Sequence, residues 1–195
     1  MTLVAAGKIA WVVLVVAWYV LRRPFERRAR RAGLSRDNRN AAEWARLSVS
    51  TLGLGILPFI YVISSWPRSL SYPPRPIPFA LGIIASIGAL VLFRMTHKAL
   101  GKMWSVSLQL KRDHKLITTG VYRHLRHPMY SAFWLMAIAQ ALLLPNLLGG
   151  LAGLVGFGLL FALRIGPEER MMEEAFGEEY RAYRKRTWRV VPFLF

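Results

Sequence analysis

The stretch His114–Tyr130, HKLITTGVYRHLRHPMY, gathers three histidines, two tyrosines, three Lys/Arg side chains and one glycine within seventeen residues. It runs straight into an apolar segment. Polar groups held at the mouth of a membrane helix are costly and are commonly functional, and this placement suits a reaction between a water-soluble cofactor and a lipid-embedded substrate. Arg126 is planar and permanently charged, so it is able to hold a carboxylate through two parallel hydrogen bonds. The plainer use of such an arginine is contact with lipid phosphate. His127-Pro128 opens the apolar segment. Proline in a first helical turn costs no backbone donor, and the helix N-terminus presents amide donors and a positive dipole end to an anionic group. His127 adds a side-chain hydrogen bond there.

Other residues around this core have two uses each. Tyr122 and Tyr130 either stack on a heterocycle and bond to a cofactor, or anchor the chain at an interface. Gly120 permits a turn or a close backbone approach. His114 by itself reads as a solvated loop histidine. Further on, Glu168 and Glu169 follow Pro167 and complement a helix dipole. Their alternative use is to bind a cofactor ribose or amino group, with Glu169 the preferred candidate. Arg189 faces either the site or only lipid headgroups, and the headgroups are the preferred expectation. No metal is expected, because His114, His124 and His127 lack the spacing of a helical ligand pair with a carboxylate partner. The chain has no cysteine, which removes disulfides, thiol nucleophiles and thiolate metal sites.

The elements that must position these residues are apolar. Over 195 residues, 54% are hydrophobic, yet the net charge is +17. Long apolar runs separated by basic segments are the pattern of a polytopic membrane protein. Lys and Arg accumulate in cytoplasmic loops beside anionic lipid, and no nucleic-acid recognition motif accompanies the charge. Nucleic acid is therefore not an expected partner; membrane lipids are.

Five apolar segments stand out, at Leu3–Leu21, Leu47–Trp66, Ile77–Thr96, Pro128–Leu144 and Leu147–Ile165. A bilayer core of roughly 30 Å needs about 20 helical residues. The first three segments meet that; the last two are shorter and joined only by Pro145-Asn146. Nine arginines lie in Arg22–Arg46, seven Lys/Arg in Lys98–Arg126 and seven in Arg164–Arg189, against two in Trp66–Pro76 and none in the Pro145-Asn146 turn. With five spans, these basic segments all fall on the cytoplasmic side and the N-terminus lies outside. The basic cluster follows the first apolar run and no small-residue cleavage site appears, so that run is expected to be a first membrane helix and not a cleavable signal.

The expected fold is therefore all-α: one integral membrane domain over residues 1–195, with five transmembrane helices. A three-helix membrane part spans 1–96, and a cofactor-binding and catalytic part spans 97–195. The proline-rich Ser65–Pro78 is expected to be an extended outer connection. Pro167–Arg186 carries Met171, Met172, Ala175, Phe176 and Tyr183 at helix-compatible spacing, and is expected to form a cytoplasmic amphipathic helix beginning at Pro167.

Two motifs join these parts. One is Gly120-Val-Tyr122-x-x-x-Arg126-His127-Pro128-x-Tyr130. The other is Glu168-Glu169-x-x-Met172-x-x-x-Phe176-Gly177-x-x-Tyr180-x-x-Tyr183, followed by Thr187-x-Arg189-x-x-Pro192. With LGKMWSV (Leu100–Val106) and His114–Leu116, they resemble the isoprenylcysteine carboxyl methyltransferase family and, more broadly, membrane phospholipid methyltransferases. The resemblance covers Leu100 to Pro192; the first two spans match only as hydrophobic helices.

The resemblance implies an S-adenosylmethionine-dependent methyl transfer to a membrane-embedded amphiphile at the cytoplasmic face, with an isoprenylcysteine-type carboxylate as acceptor. It implies that Arg126 orients the acceptor carboxylate and that the backbone around His114, Leu116 and Ile117 lines the adenosine pocket. Gly120, Tyr122, His127, Pro128, Tyr130, Glu168 and Glu169 complete the expected cofactor site, with Arg126 and Glu169 the expected catalytic pair. The chemistry agrees. Attack of a carboxylate on a sulfonium methyl neutralises charge, so the enzyme must mainly align nucleophile, carbon and leaving sulfur. No nucleophilic side chain and no metal are required.

One departure is Ala132, where the family commonly has glycine; the added methyl bears on close packing beside the site. Another is Met172, where leucine is common, a mild replacement. Two other enzyme readings stand beside the first. A phospholipid or lipid-amine N-methyltransferase needs a base to remove a proton, for which only Glu168, Glu169 and the histidines are at hand. An NADPH-dependent reductase of sterol-like or enoyl lipids has a related Arg-His-Pro region, but here Met129 precedes Tyr130 and Ala132-Phe133 replace its Gly-Glu pair. A non-enzymatic membrane scaffold is opposed by intact Arg126, His127, Tyr130 and Glu169.

Overall fold

Six helices carry the architecture of this computed structural model, which describes residues 2–30, 34–37, 41–101, 109–111 and 115–192. Helix α1 (Leu3–Arg30) starts where the Thr2 hydroxyl accepts the Ala5 amide at 3.2 Å, an N-cap. Helices α2 (Ala41–Thr51) and α3 (Leu57–Ser64) are joined by a π-helical turn, Leu52–Ile56, into one continuous rod. Helix α4 (Pro76–Leu100) has prolines in its first turn and stops at Gly101, whose φ of +52° disfavours other residues. Helix α5 (Pro128–Leu143) also opens on proline. Asn146 caps α6 (Leu147–Lys185), its side chain accepting the Gly149 amide at 2.8 Å.

Among the described residues four helical stretches are long and apolar enough to cross a membrane: Leu3–Arg27, Ala41–Ser64, Pro76–Leu100 and Leu147–Lys185; Pro128–Leu143 is a shorter apolar helix. The helices present large apolar side chains outward, Ile77 at 74% and Val155 at 71% exposure among them, as a lipid-facing surface does. This is an integral membrane protein built on apolar helices.

Helix α5 lies centrally. It packs against α4 on one side and α6 on the other; α1 lies over α4 and α5, and the α2–α3 rod lies on α6. The rod and α6 come into backbone contact. A Cβ on Gly53 would stand 2.3 Å from the Ala152 carbonyl oxygen, so only glycine permits this crossing. The π-turn also leaves the Gly53 carbonyl able to accept from Gln140 Nε2 at 3.0 Å, and the same nitrogen donates to the Gly149 carbonyl at 2.8 Å. In an apolar interior these bonds satisfy groups that have no water to turn to.

One end of the bundle is tied by polar contacts. Lys8 Nζ donates to Ser65 Oγ at 2.7 Å, Asn146 Nδ2 donates to the Pro67 carbonyl at 2.8 Å and to Ser71 Oγ at 2.9 Å, and the Tyr72 amide donates to the Pro145 carbonyl at 3.1 Å. The start of α1, the end of α3, the connection to α4 and the α5–α6 turn thus share one end. Of the expected Ser65–Pro78 connection, the part up to Arg75 is irregular and extended apart from a 3-10 turn at Arg68–Leu70, and Pro76–Pro78 already form the first turn of α4. The expected site residues gather at the other end.

Two features differ from the sequence expectation. Strand β1 (Leu34–Asp37) pairs antiparallel with β2 (Gln109–Lys111), tying the segment after α1 to the segment after α4. The C-terminal amphipathic segment is not a separate helix beginning at Pro167. It continues α6, with Pro167 internal and a break instead at Gly177, where φ is +51°. A proline already set at helical φ removes one hydrogen bond without forcing a stop; a left-handed glycine interrupts the helical backbone outright.

Candidate functional site

The site forms where the start of α5 meets the polar half of α6 and the chain's return after α6. The return is fixed by backbone. The Arg126 amide donates to the Trp188 carbonyl at 2.8 Å, the His127 amide to the Arg189 carbonyl at 2.9 Å, and the Trp188 amide to the His124 carbonyl at 3.0 Å. Ser131 Oγ adds a bond to the Val190 carbonyl at 2.5 Å. From α6, the Tyr183 hydroxyl donates to the Tyr122 carbonyl at 2.7 Å and lies 3.3 Å from the Leu125 carbonyl. The two sequence motifs are thereby laced into one unit.

Within that unit the charged side chains form a knot. Glu169, only 6% exposed, accepts from Arg126 Nε at 3.2 Å and from Arg189 through Nε at 3.2 Å and Nη2 at 2.9 Å. Arg126 Nη1 also donates to the carbonyls of Arg184, at 3.1 Å, and Thr187. His127, 7% exposed, stands between two carboxylates, with Nδ1 3.5 Å from Glu168 Oε1 and Nε2 3.4 Å from Glu169 Oε1. The second approach is not aligned as a hydrogen bond, so Nε2 is a buried nitrogen held by attraction alone. Glu168 Oε2 accepts from the Tyr130 hydroxyl at 2.5 Å. Arg164 Nε lies 3.6 Å from that same oxygen and 3.4 Å from Glu43 Oε1 on α2.

Burial and pairing oppose one another here. Burial by itself pushes the His127 imidazole down, but contacts with Glu168 and Glu169 outweigh it and raise the histidine above its ordinary value. Glu168 and Glu169 lie beyond the apolar run of α6. Burial pushes each of them up, but His127 overcomes this for both, joined by Arg164 and Tyr130 at Glu168 and by Arg189 at Glu169, and both are held down to about 2. Two ionised carboxylates are thus kept at a half-buried site, which only matched cations permit.

Beside the knot an open cleft of about 550 Å³ is lined by Arg126, Glu173, Arg181, Arg184, Lys185, Thr187, Trp188 and Arg189. Arg126 belongs to both cleft and knot. On the other side, Tyr130 leads into an aromatic cluster, with ring centroids 5.4 Å from Phe161 and 6.1 Å from Phe157.

Of the expected site residues, Arg126, His127, Pro128, Tyr130, Glu168 and Glu169 come together at this end. Tyr122 is buried one turn upstream, its carbonyl held by Tyr183. Gly120 opens the 3-10 turn Gly120–Arg123 with φ of +62°. Leu116 and Ile117 are half-buried in the segment leading to it. His114 lies outside the described residues, as does most of Leu100–Val106. Ala132 is fully buried, so its methyl is accommodated inside α5's packing.

Arg189 requires a correction. It faces the site through its paired bonds to Glu169, not lipid headgroups, because the backbone pairing of 188–189 with 124–127 turns it inward. Arg164 and Glu43 were not singled out from sequence. Their one signal was an arginine at the end of an apolar run and an acid in the first turn of a helix, both ordinary for a solvated or lipid-facing residue.

Residues 80–174 match the model of the isoprenylcysteine carboxyl methyltransferase (ICMT) family. The chain is 34% identical over 96 residues to protein-S-isoprenylcysteine O-methyltransferase B of Arabidopsis thaliana, covering 48% of this chain and 49% of that protein. It is 31% identical over 116 residues to a probable protein-S-isoprenylcysteine O-methyltransferase of Oryza sativa subsp. indica (58% and 61%). It is 33% identical over 89 residues to the protein-S-isoprenylcysteine O-methyltransferase of Schizosaccharomyces pombe (46% and 38%). The matches span about half the length of these relatives. In three dimensions the chain is similar to a eukaryotic intramembrane Ras methyltransferase, isoprenylcysteine carboxyl methyltransferase, with a TM-score of 0.54 and 24% identity over 81% of this chain and 55% of that one. At that identity the likeness concerns the fold alone.

Proposed function

We propose that this chain belongs to the isoprenylcysteine carboxyl methyltransferase family, whose model its residues 80–174 match, and that it is an S-adenosylmethionine-dependent membrane methyltransferase. The acceptor is an amphiphile, and its methylated group is an isoprenylcysteine-type carboxylate. The observation that carries this reading is the knot at the mouth of α5 and α6, where the half-buried Glu168 and the buried Glu169 flank His127 and two guanidiniums hold Glu169.

The donor set fits the cofactor. S-adenosylmethionine carries a cationic sulfonium and ammonium and an anionic carboxylate. Glu168 and Glu169 supply the anions. The first amides of α5 supply the positive complement, and the buried His127 Nε2, without an aligned partner, supplies a donor. His114, Leu116, Ile117, Gly120, Tyr122, Pro128 and Tyr130 complete the pocket. When bound, the cofactor provides an electrophilic methyl group. The chain's own task is then alignment. Arg126, at the edge of cleft and knot, holds the acceptor carboxylate through Nη2, the arm of its fork beside the Nε and Nη1 that Glu169 and the Arg184 and Thr187 carbonyls already hold. Glu169 fixes the plane of that fork through Nε, and the aromatic cluster below Tyr130 keeps water from the reacting end.

The proposed topology is five spans with the N-terminus outside and the knot cytoplasmic. The ties between Lys8, Ser65, Ser71 and Asn146 support an odd number of crossings, since they gather the start of α1 with the α5–α6 turn. At 1.5 Å per residue α5 is about 24 Å long, so its polar mouth sits within the interface, where a lipid head and a soluble cofactor are able to meet.

The test is calorimetric binding of S-adenosylhomocysteine to detergent-purified protein with NADPH in parallel, followed by transfer of labelled methyl from S-adenosylmethionine to a farnesylcysteine analogue. Saturable S-adenosylhomocysteine binding and a base-labile methyl ester are expected. Binding of NADPH alone would overturn the reading. One observation favours a lipid-amine acceptor as the second reading: two ionised carboxylates, Glu168 and Glu169, stand at the mouth and are the bases at hand to take a proton from an amine. A methylated product stable to base would select it.

A further inference from the structure

Glu43 sits in the first turn of α2 and is 1% exposed. An acid at a helix start complements the dipole from the solvent side; buried, a carboxylate must be matched by cations. Among the described residues Arg46 Nη1 lies 3.8 Å from Oε2 and Arg164 Nε 3.4 Å from Oε1. Arg164 is itself buried, at 9% exposure, near the end of α6's apolar run. Its Nε is shared with Glu168 Oε2 at 3.6 Å. One guanidinium therefore stands between a carboxylate of α2 and a carboxylate of the knot. The same Oε2 accepts from the Tyr130 hydroxyl at 2.5 Å, and the other carboxylate oxygen, Oε1, lies 3.5 Å from His127 Nδ1.

We propose that Glu43 is a positioning residue for the cofactor site: it restrains Arg164, and through Arg164 it sets where the Glu168 carboxylate stands. The physical reason is competition for one cation. With Glu43 in place, Arg164 is drawn toward both carboxylates, and Glu168 keeps its Tyr130 and His127 contacts. With Glu43 neutralised, Arg164 closes on Glu168, draws it away from those partners and masks the charge that receives the cofactor's cationic end. Glu43 lies outside the family-matched residues 80–174, so the N-terminal rod belongs to the binding apparatus and is more than a membrane anchor. The inference rests on the proposed methyltransferase reading.

The experiment is a double-mutant cycle read by calorimetric titration of S-adenosylhomocysteine, with thermal melts of the same samples. Glu43→Gln is expected to weaken binding about tenfold in the wild-type background and less than about twofold in a Glu168→Gln background. The loss in melting temperature from Glu43→Gln is expected in both backgrounds. Glu43→Asp keeps the charge with one methylene less reach, and is expected to recover most of the affinity. Should Glu43→Gln not fold, the cycle is read with Glu43→Asp, whose smaller loss must likewise vanish beside Glu168→Gln. Equal loss in both backgrounds, or full affinity in Glu43→Gln, would overturn the positioning role while leaving the methyltransferase reading intact. Failure of the wild-type protein to bind S-adenosylhomocysteine would overturn both.

Discussion

Arg126 Nε and Glu169 Oε1 meet at 3.2 Å although 43 positions separate them in the chain. The contact couples the residue read as the acceptor's clamp to a residue read as the cofactor's anion. Each side of the proposed reaction is thus oriented by the other.

Replacing Arg126 with alanine is therefore expected to suppress methyl transfer by about a hundredfold or more, the scale of losing one preorganised charge-stabilising group. S-adenosylhomocysteine affinity should fall only a few-fold, because Arg189 still holds Glu169. Arg126→Lys should recover little, since a point charge has no fork. Single-turnover rates and calorimetry on the same preparations separate the two effects, and unchanged turnover in Arg126→Ala would remove the clamp role.

Glu169→Gln keeps the shape and removes the charge that Arg126 and Arg189 share. Cofactor-analogue affinity is expected to drop about tenfold, in line with the loss of one charge-assisted contact. Equal dissociation constants in wild type and variant would take Glu169 out of the site.

The ionisation of the knot sets a pH dependence of stability. His127 is raised in the fold, so its contribution is fully present below its ordinary value near 6.5 and is lost as pH rises through the higher folded value. Glu168 and Glu169 are lowered from 4.5 to about 2, so their contribution is present above about 4.5 and is lost as pH falls toward 2. Melting temperature in detergent should therefore peak between these arms, and His127→Gln should flatten the alkaline arm and, because His127 is the main group holding both carboxylates down, shrink the acid arm as well. An alkaline arm unchanged in His127→Gln would show that another group causes it.

Gly53→Ala tests the helix crossing that holds the rod against α6. The new methyl would stand 2.3 Å from the Ala152 carbonyl oxygen, so the rod must move and the Gln140 bond to the Gly53 carbonyl must lengthen. A loss of about 1–3 kcal/mol is expected, the scale of overpacking a well-filled interface, visible as a lower melting temperature. An unshifted melt would mean that the two rods separate at little cost.

Local chemistry wrote much of this protein openly. The apolar runs, the Pro128 helix start, the Pro145-Asn146 turn and the glycine at Gly120 depend on near neighbours, so composition and spacing reveal them. Arg126, His127, Tyr130 and Glu169 were legible because their motifs keep short, characteristic spacings. Tertiary structure alone decided the direction of Arg189, the sharing of Arg164 between Glu43 and Glu168, and the passage of α6 through Pro167. A lipid-facing arginine and a buried, paired one look alike in sequence. Which of them forms depends on helices distant in the chain meeting at one end of the bundle, where a buried charge must find its opposite.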